Sequence, residues 1–235
     1  MVNQWLNKLQ FALLPPRCLL CGGRGHGARD LCAACRAALP RPGTACPVCA
    51  LPLPGAASGH PCGRCRTPPP FAATRAAFSY APPLDRLVLE LKFAGCIGHA
   101  RLLGELLASH LEAVGVPRPE LLLPVPLHPR RLRSRGYNQA LELARPVARR
   151  LDVPLRPHGG RRLRDTAAQS GLDARARRRN VRGAFAVDAA VAGRRVAVVD
   201  DVVTTGHTVS ELARSLVAAG AERVEVWCLA RAPQP

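Results

Sequence analysis

Residues Val196 to Thr208 read V-A-V-V-D-D-V-V-T-T-G-H-T, and this stretch limits the possible folds more tightly than any other in the chain. The apolar run Val196 to Val199 has the make-up of a buried strand, and the pattern predicts that the strand stops at two adjacent carboxylates, Asp200 and Asp201. A loop is expected from Val202 to His207, then a helix with Val209, Leu212, Ala213, Leu216 and Val217 on one face. At such a turn the first N–H groups of the helix lack intrahelical partners and attract an anion. Thr204, Thr205 and Thr208 add hydroxyl donors, and Gly206 lets a ligand approach the backbone. The loop therefore predicts a phosphate cup. The two carboxylates would repel a phosphate and suit hydroxyl groups or a metal ion, and a sugar phosphate offers both chemistries. A local competitor is the capping-box spacing of Thr208 and Glu211, in which the Thr208 hydroxyl caps the helix instead.

An apolar run, two acids, two more apolar residues and a Thr/Gly-rich loop resemble the 5-phosphoribosyl-1-pyrophosphate (PRPP) motif of type I phosphoribosyltransferases. That resemblance implies that Asp200 and Asp201 meet the ribose 2′ and 3′ hydroxyls. It also implies that Val203, Thr204, Thr205, Gly206, His207 and Thr208 wrap the 5′-phosphate.

Eight of the ten cysteines fall into four C-x-x-C pairs: Cys18/Cys21, Cys32/Cys35, Cys46/Cys49 and Cys62/Cys65. Each pair presents two thiolates to one metal ion, so four pairs predict two structural zinc sites. Sequential pairing needs only two short hairpins in tandem, while interleaved pairing remains open on spacing alone. Disulfides would suit a secreted chain, and Met1 to Leu14 lacks a small-residue cleavage site. Few large apolar residues lie between Cys18 and Cys65, so metal must substitute for a core there, separate from that of the rest. Cys96 and Cys228 stand alone in apolar surroundings and are expected in the core.

The 235 residues suffice for one good core and a small satellite domain. We expect an N-terminal helix over residues 1–17, a double zinc ribbon over 18–67, and a larger domain over 71–235 beyond the stiff Thr67 to Pro70 break. The larger domain alternates strands (Ala76 to Tyr80, Leu121 to Val125, Val224 to Leu229) with helices (Leu84 to Leu91, Leu102 to Leu111, and Asn138 to about Leu151, disturbed at Pro146). This order predicts an α/β fold with a mainly parallel sheet flanked by helices and ligands at the carboxyl ends of its strands. A basic loop, His128 to Tyr137, leaves one such end, and an arginine-rich segment, Arg161 to Gly183, is expected to be a binding loop or lid. No apolar run reaches the ~18 residues of a membrane span, so a cytoplasmic protein is expected. The formal charge of +18 favours an anionic partner, although an Ala-, Arg- and Pro-rich composition is also what a GC-rich genome produces.

P-V-P-L-H-P-R-R-L-R-S-R-G-Y-N-Q, R-D-T-A-A-Q, R-R-R-N-V-R-G-A-F and the Asp200 stretch, behind paired zinc knuckles, together resemble the ComF family, bacterial proteins linked to DNA uptake in natural transformation. The resemblance implies a type I phosphoribosyltransferase-like domain behind a double zinc ribbon, with PRPP as ligand, Mg²⁺ bound with PRPP, and single-stranded DNA and DNA-uptake proteins as further partners. It places Arg135 to Gln139, including Gly136, at the pyrophosphate loop and Arg164 to Asn180 at the mobile hood. Arg135 and Arg164 become candidate PRPP contacts, with solvated surface arginine as the alternative. A glycosyltransferase acting on PRPP is the leading reading. The alternatives are a non-catalytic PRPP- or nucleotide-binding adaptor for nucleic acid, and nucleobase salvage.

Overall fold

The computed structural model describes residues 16–27, 29–53, 59–165 and 182–233. The expected N-terminal helix and most of the hood, 166–181, lie outside the described residues. The central sheet has four strands, all parallel, in the order β1-β6-β5-β2: β1 (Ala73–Ser79), β2 (Leu121–Pro124), β5 (Arg195–Val203) and β6 (Arg223–Arg231). A separate antiparallel pair, β3 (Gly160–Arg162) and β4 (Phe185–Val187), brackets the hood.

Successive side chains of a strand point to opposite faces, and β5 shows how this builds two cores. Val196 and Val198 pack with Leu212 and Leu216 of α6 (His207–Ala218), whereas Ala197 and Val199 pack on the other side. Beyond the short α1 (Ala33–Ala37) of the cysteine-rich region, that second layer holds α2 (Leu84–Phe93), α3 (His99–Ala113) and α5 (Gln139–Leu151). Helix α5 runs unbroken through Pro146, in contrast to the expected disturbance. Gly104 of α3 makes room for it: a Cβ there would lie 2.3 Å from Pro146 Cγ and 2.6 Å from the Leu143 carbonyl oxygen.

Two local expectations change. The basic segment after β2 is a helix, α4 (Pro129–Arg135), rather than an open loop. His128 Nδ1 accepts from the Arg130 amide at 3.3 Å, Pro129 is in the first turn where its missing N–H costs nothing, and Gly136 ends the helix at φ 84°. Cys228 is fully buried as expected, but Cys96 is half-exposed in the turn after α2.

The zinc-ribbon region also packs against the sheet instead of standing on a core of its own. Cys18, Leu31 and Leu39 join the buried cluster of α2, α3 and α5, and Ala50 joins the α6 side. Edge strand β1 gains backbone partners from this region: the Thr74 amide donates to the Val48 carbonyl (2.7 Å) and the Ser79 amide to the Pro40 carbonyl (2.8 Å). These bonds cover an edge that would otherwise expose unpaired groups.

Candidate functional site

The structure resolves the cysteine pairing as sequential. The four Sγ atoms of Cys18, Cys21, Cys32 and Cys35 lie within 4.8 Å of one another, as do those of Cys46, Cys49, Cys62 and Cys65. A tetrahedron with Zn–S bonds of ~2.3 Å has edges of ~3.8 Å. Cys21 Sγ and Cys32 Sγ are 3.8 Å apart, and Cys49 Sγ and Cys62 Sγ 3.6 Å. Backbone amides point at the sulfurs, Cys35 N to Cys32 Sγ at 3.4 Å and Cys62 N to Cys46 Sγ at 3.3 Å, which favours thiolates. Both tetrads fit structural zinc, and His26 and His60 belong to neither.

Strand β5 does not stop at the carboxylates. It continues to Val203, with Val202 opposite Ala230 and Val203 opposite Arg231. Val203 is therefore strand rather than loop. Its side chain is in the α6-side core, and its carbonyl accepts from the Ala232 amide at 3.0 Å and from Arg231 Nη1 at 2.9 Å. The connection shrinks to Thr204, Thr205 and Gly206, and α6 begins at His207. Thr204 is exposed, and Thr205, Gly206, His207 and Thr208 are half-buried.

Gly206, at φ 79°, occupies the cap position of α6, and no side chain caps this helix. The capping-box alternative for Thr208 is thus not used. Glu211 instead accepts from the Gly183 amide at 2.7 Å and pairs with Arg214. A Cβ on Gly206 would meet nothing nearer than Val203 Cγ1 at 4.0 Å, so the space over the loop is open.

Asp200 and Asp201 are adjacent near the carboxyl end of β5, and their carboxyl groups are close enough to interact. Asp201 is buried, 3% exposed, with Lys92 Nζ 2.9 Å from its Oδ2 and the Val202 amide 2.7 Å from its Oδ1. Asp200 is half-buried and accepts from the Asp201 amide at 2.9 Å. Burial, followed by the charge of Asp201, pushes the Asp200 carboxyl well above the usual carboxylate range, while Lys92 pulls it back. Asp200 acts in turn on two neighbours. Its charge, after burial, raises the Cys228 thiol, and it helps to hold the proton on buried Arg162, which burial and then Arg131 push down.

Arg135 and Gly136 stand at the end of α4. Arg135 donates to Gln139 Oε1 at 2.5 Å and lies 5.5 Å from the centroid of the Phe93 ring, so it approaches the carboxylates through the residue next to Lys92 and not directly. Arg164 is exposed and donates to the Arg182 carbonyl at 3.2 Å. Its neighbour Asp165 lies 3.8 Å from His128, Arg130 and Arg131, which sets the hood's stem against α4. No motif in the sequence singles out Lys92, Arg162 or Arg231. A usable signal existed for the first, since Lys92 and Lys8 are the only lysines among 34 basic residues.

The N-terminal residues 9–66 match the double zinc ribbon domain, and residues 138–235 match the phosphoribosyl transferase domain. The chain is 40% identical to the DNA utilization protein YhgH of Escherichia coli O157:H7 over 227 residues, 93% of this chain and 98% of the relative. It is 36% identical to competence protein F of Haemophilus influenzae over 227 residues, 92% and 97% of the two chains. A purine phosphoribosyltransferase from Pyrococcus horikoshii Ot3 aligns with 60% of this chain and 75% of its own at 19% identity and a TM-score of 0.33. With two zinc-fitting tetrads ahead of a parallel-sheet phosphoribosyltransferase domain, and these relatives matched nearly end to end, the chain belongs to the ComF family.

Proposed function

We propose that the chain binds PRPP at the carboxyl end of β5 and serves DNA uptake or use, as the names of its relatives say of them. The observation that carries the reading is the juxtaposition of two carboxylates, Asp200 and Asp201, with an uncapped helix start behind Thr204 to Gly206. In this reading the loop and Thr208 hold the 5′-phosphate, Asp200 and Asp201 accept from the ribose hydroxyls, and the cationic groups Lys92 and Arg135 face the pyrophosphate side. Mg²⁺, bound with PRPP, would neutralise charge on the pyrophosphate.

The reaction that follows is phosphoribosyl transfer. The bond from C1 to the pyrophosphate oxygen breaks with its electron pair leaving on pyrophosphate, and a nucleophile on the acceptor forms the new bond to C1. Positive charge grows on the sugar, where Asp200 and Asp201 stabilise it, and preorganised cations receive the leaving group. Two zinc ions would remain structural, because four cysteines fill each tetrahedral site and leave no open position for a substrate.

A second reading, binding without turnover in a nucleic-acid adaptor, is favoured by a different observation. Helix α4 carries Arg130, Arg131, Arg133 and Arg135 with none of its residues buried, and Phe93 beside it is 75% exposed. Arginines that follow a phosphate backbone, next to an open aromatic ring on which a base can stack, suit a single strand. Calorimetric titration with PRPP and Mg²⁺, combined with pyrophosphate release measured with and without single-stranded DNA, separates the two readings. Binding with DNA-dependent release supports the transferase, and binding without release supports the adaptor. No binding in either condition removes the site assignment.

A further inference from the structure

Arg231, the last residue of β6, is 3% exposed, and its guanidinium spans two parts of the molecule that the sequence keeps far apart. Its Nε donates to the carbonyl of Cys49 at 2.9 Å. Its Nη1 donates to the carbonyls of Val203 and Ala232, each at 2.9 Å, and to that of Thr204. Cys49 belongs to the second cysteine tetrad, and Val203 and Thr204 lead into the phosphate loop.

We propose that Arg231 is a positioning residue that couples the second zinc site to the phosphate loop, so that metal at Cys46, Cys49, Cys62 and Cys65 sets the order of Thr204 to Thr208. A buried guanidinium keeps its charge and needs acceptors for its donors. The Cys46–Cys49 turn supplies one of them only while it keeps its shape. The turn is braced from both sides, by the Ala50 amide donating to the Cys46 carbonyl (2.9 Å) and by the Thr74 amide donating to the Val48 carbonyl (2.7 Å). Metal fixes the remaining freedom, because a zinc turn without its ion has little core to hold it. Once the turn relaxes, Cys49 moves off Nε, the guanidinium turns toward other acceptors, and Val203 and Thr204 lose their donor. Among the described residues the first tetrad has no such link. Its contacts run to the α3 side, through buried Cys18 and through Arg101 Nη2 to Asp30 Oδ2 at 2.5 Å.

The effect on ligand affinity rests on the PRPP reading, whereas the effect on the loop does not. The test is amide hydrogen exchange over residues 203–208 of the full chain, with zinc content and PRPP affinity measured on the same samples. Arg231→Lys keeps a charge but not the fork, and Cys62→Ser removes one ligand of the second site. Both are expected to raise loop exchange by roughly tenfold and to weaken PRPP by a similar factor, the worth of one charge-assisted hydrogen bond. Arg231→Lys should retain both zinc ions, and Arg101→Ala should leave the loop unchanged. Partial chelation of the unmodified protein gives the same readout without a substitution. Unchanged loop exchange in Arg231→Lys and on chelation would overturn the coupling, as would a rise spread evenly over the whole sheet. A protein that never binds PRPP but shows the local rise in exchange would retain the coupling and lose the ligand assignment.

Discussion

Lys92 Nζ lies 2.9 Å from Asp201 Oδ2, joining the last turn of α2 to the far end of β5. The Asp201 side chain is almost wholly covered and that of Lys92 about four-fifths covered, so their contact offsets part of the cost of burying each. The same contact gives the candidate site its polarity, with a cation on the α2 side of the strand and the open loop beyond it.

Removing one partner strands the other. Lys92→Met is expected to cost about 3 kcal/mol, because it leaves Asp201 charged and unpaired beside Asp200. Adding Asp201→Asn should restore much of that loss, since the isosteric amide no longer needs a counter-charge. Urea unfolding of the two single variants and the double variant gives the coupling energy directly, and additive losses would show that the pair contributes no net attraction.

Asp200→Asn together with Asp201→Asn is expected to weaken PRPP with Mg²⁺ by about 10- to 100-fold, since hydrogen bonds to charged acceptors are worth ~1.5–3 kcal/mol. Size and strand register are preserved, so circular dichroism should be unchanged. Calorimetry on the folded double variant is decisive, and an affinity equal to that of the parent would dismiss the ribose assignment.

The Asp200 carboxyl also predicts a pH dependence. Its folded value is raised above the ordinary 3.8, so the native state binds this proton more tightly than the unfolded chain does. The stability it contributes is whole below 3.8 and is lost as pH rises from there through the raised folded value. Asp200→Asn never pays that loss. Its melting temperature should exceed the parent's by a few degrees at neutral to alkaline pH, with the difference closing as the pH falls into the ordinary carboxylate range. Thermal melts of both proteins across pH measure this, and a constant gap would exclude the titration of Asp200 as its source.

Metal removal should act on the whole molecule. Two zinc ions per chain are expected by metal analysis. Cys18 packs into the cluster shared with α2, α3 and α5, so Cys18→Ser should lower the melting temperature of the sheet domain as well as that of the ribbon. Two separate transitions, with the second unmoved, would instead describe independent cores.

How far the sequence could be read follows from the range of each interaction. The acid pair, the threonine loop, most of the apolar face of α6 and the four C-x-x-C pairs are local patterns and were legible, whereas Val217, expected on that face, is 49% exposed, and the grouping of the pairs into tetrads needed the fold. The end of β5 was not, because acids suggest a strand end, whereas Val202 and Val203 stay in the sheet through pairing with Ala230 and Arg231, which no local pattern encodes. Helix α4 was hidden by its arginines, although Pro129 at its start and Gly136 at its end are the ordinary helix boundary signals. Lys92 and Arg231 make their decisive contacts with residues far away in sequence, Asp201 for the first and Cys49 and Val203 for the second. In a chain with a charge of +18, a single significant arginine has little to distinguish it from its neighbours.

The last prediction sets the basic surface against composition. If α4 grips single-stranded DNA, each neutralised phosphate releases counterions, and affinity should fall with salt with a slope of roughly −0.7 per contact. Arg130 and Arg131 already lie 3.8 Å from Asp165, whereas Arg133 is exposed on the same helix, so Arg133→Ala should reduce the slope most cleanly. Phe93→Ala should act differently. Loss of a stacking ring costs ~1–3 kcal/mol per base without changing the salt slope. PRPP should compete with DNA, because Phe93 adjoins Lys92 and Arg135 lies over one face of its otherwise exposed ring. Fluorescence titrations at several salt concentrations, with and without PRPP, resolve the three effects. A slope unaltered by Arg133→Ala and an affinity unaltered by Phe93→Ala would move any DNA contact off this face and leave the charge of α4 to composition.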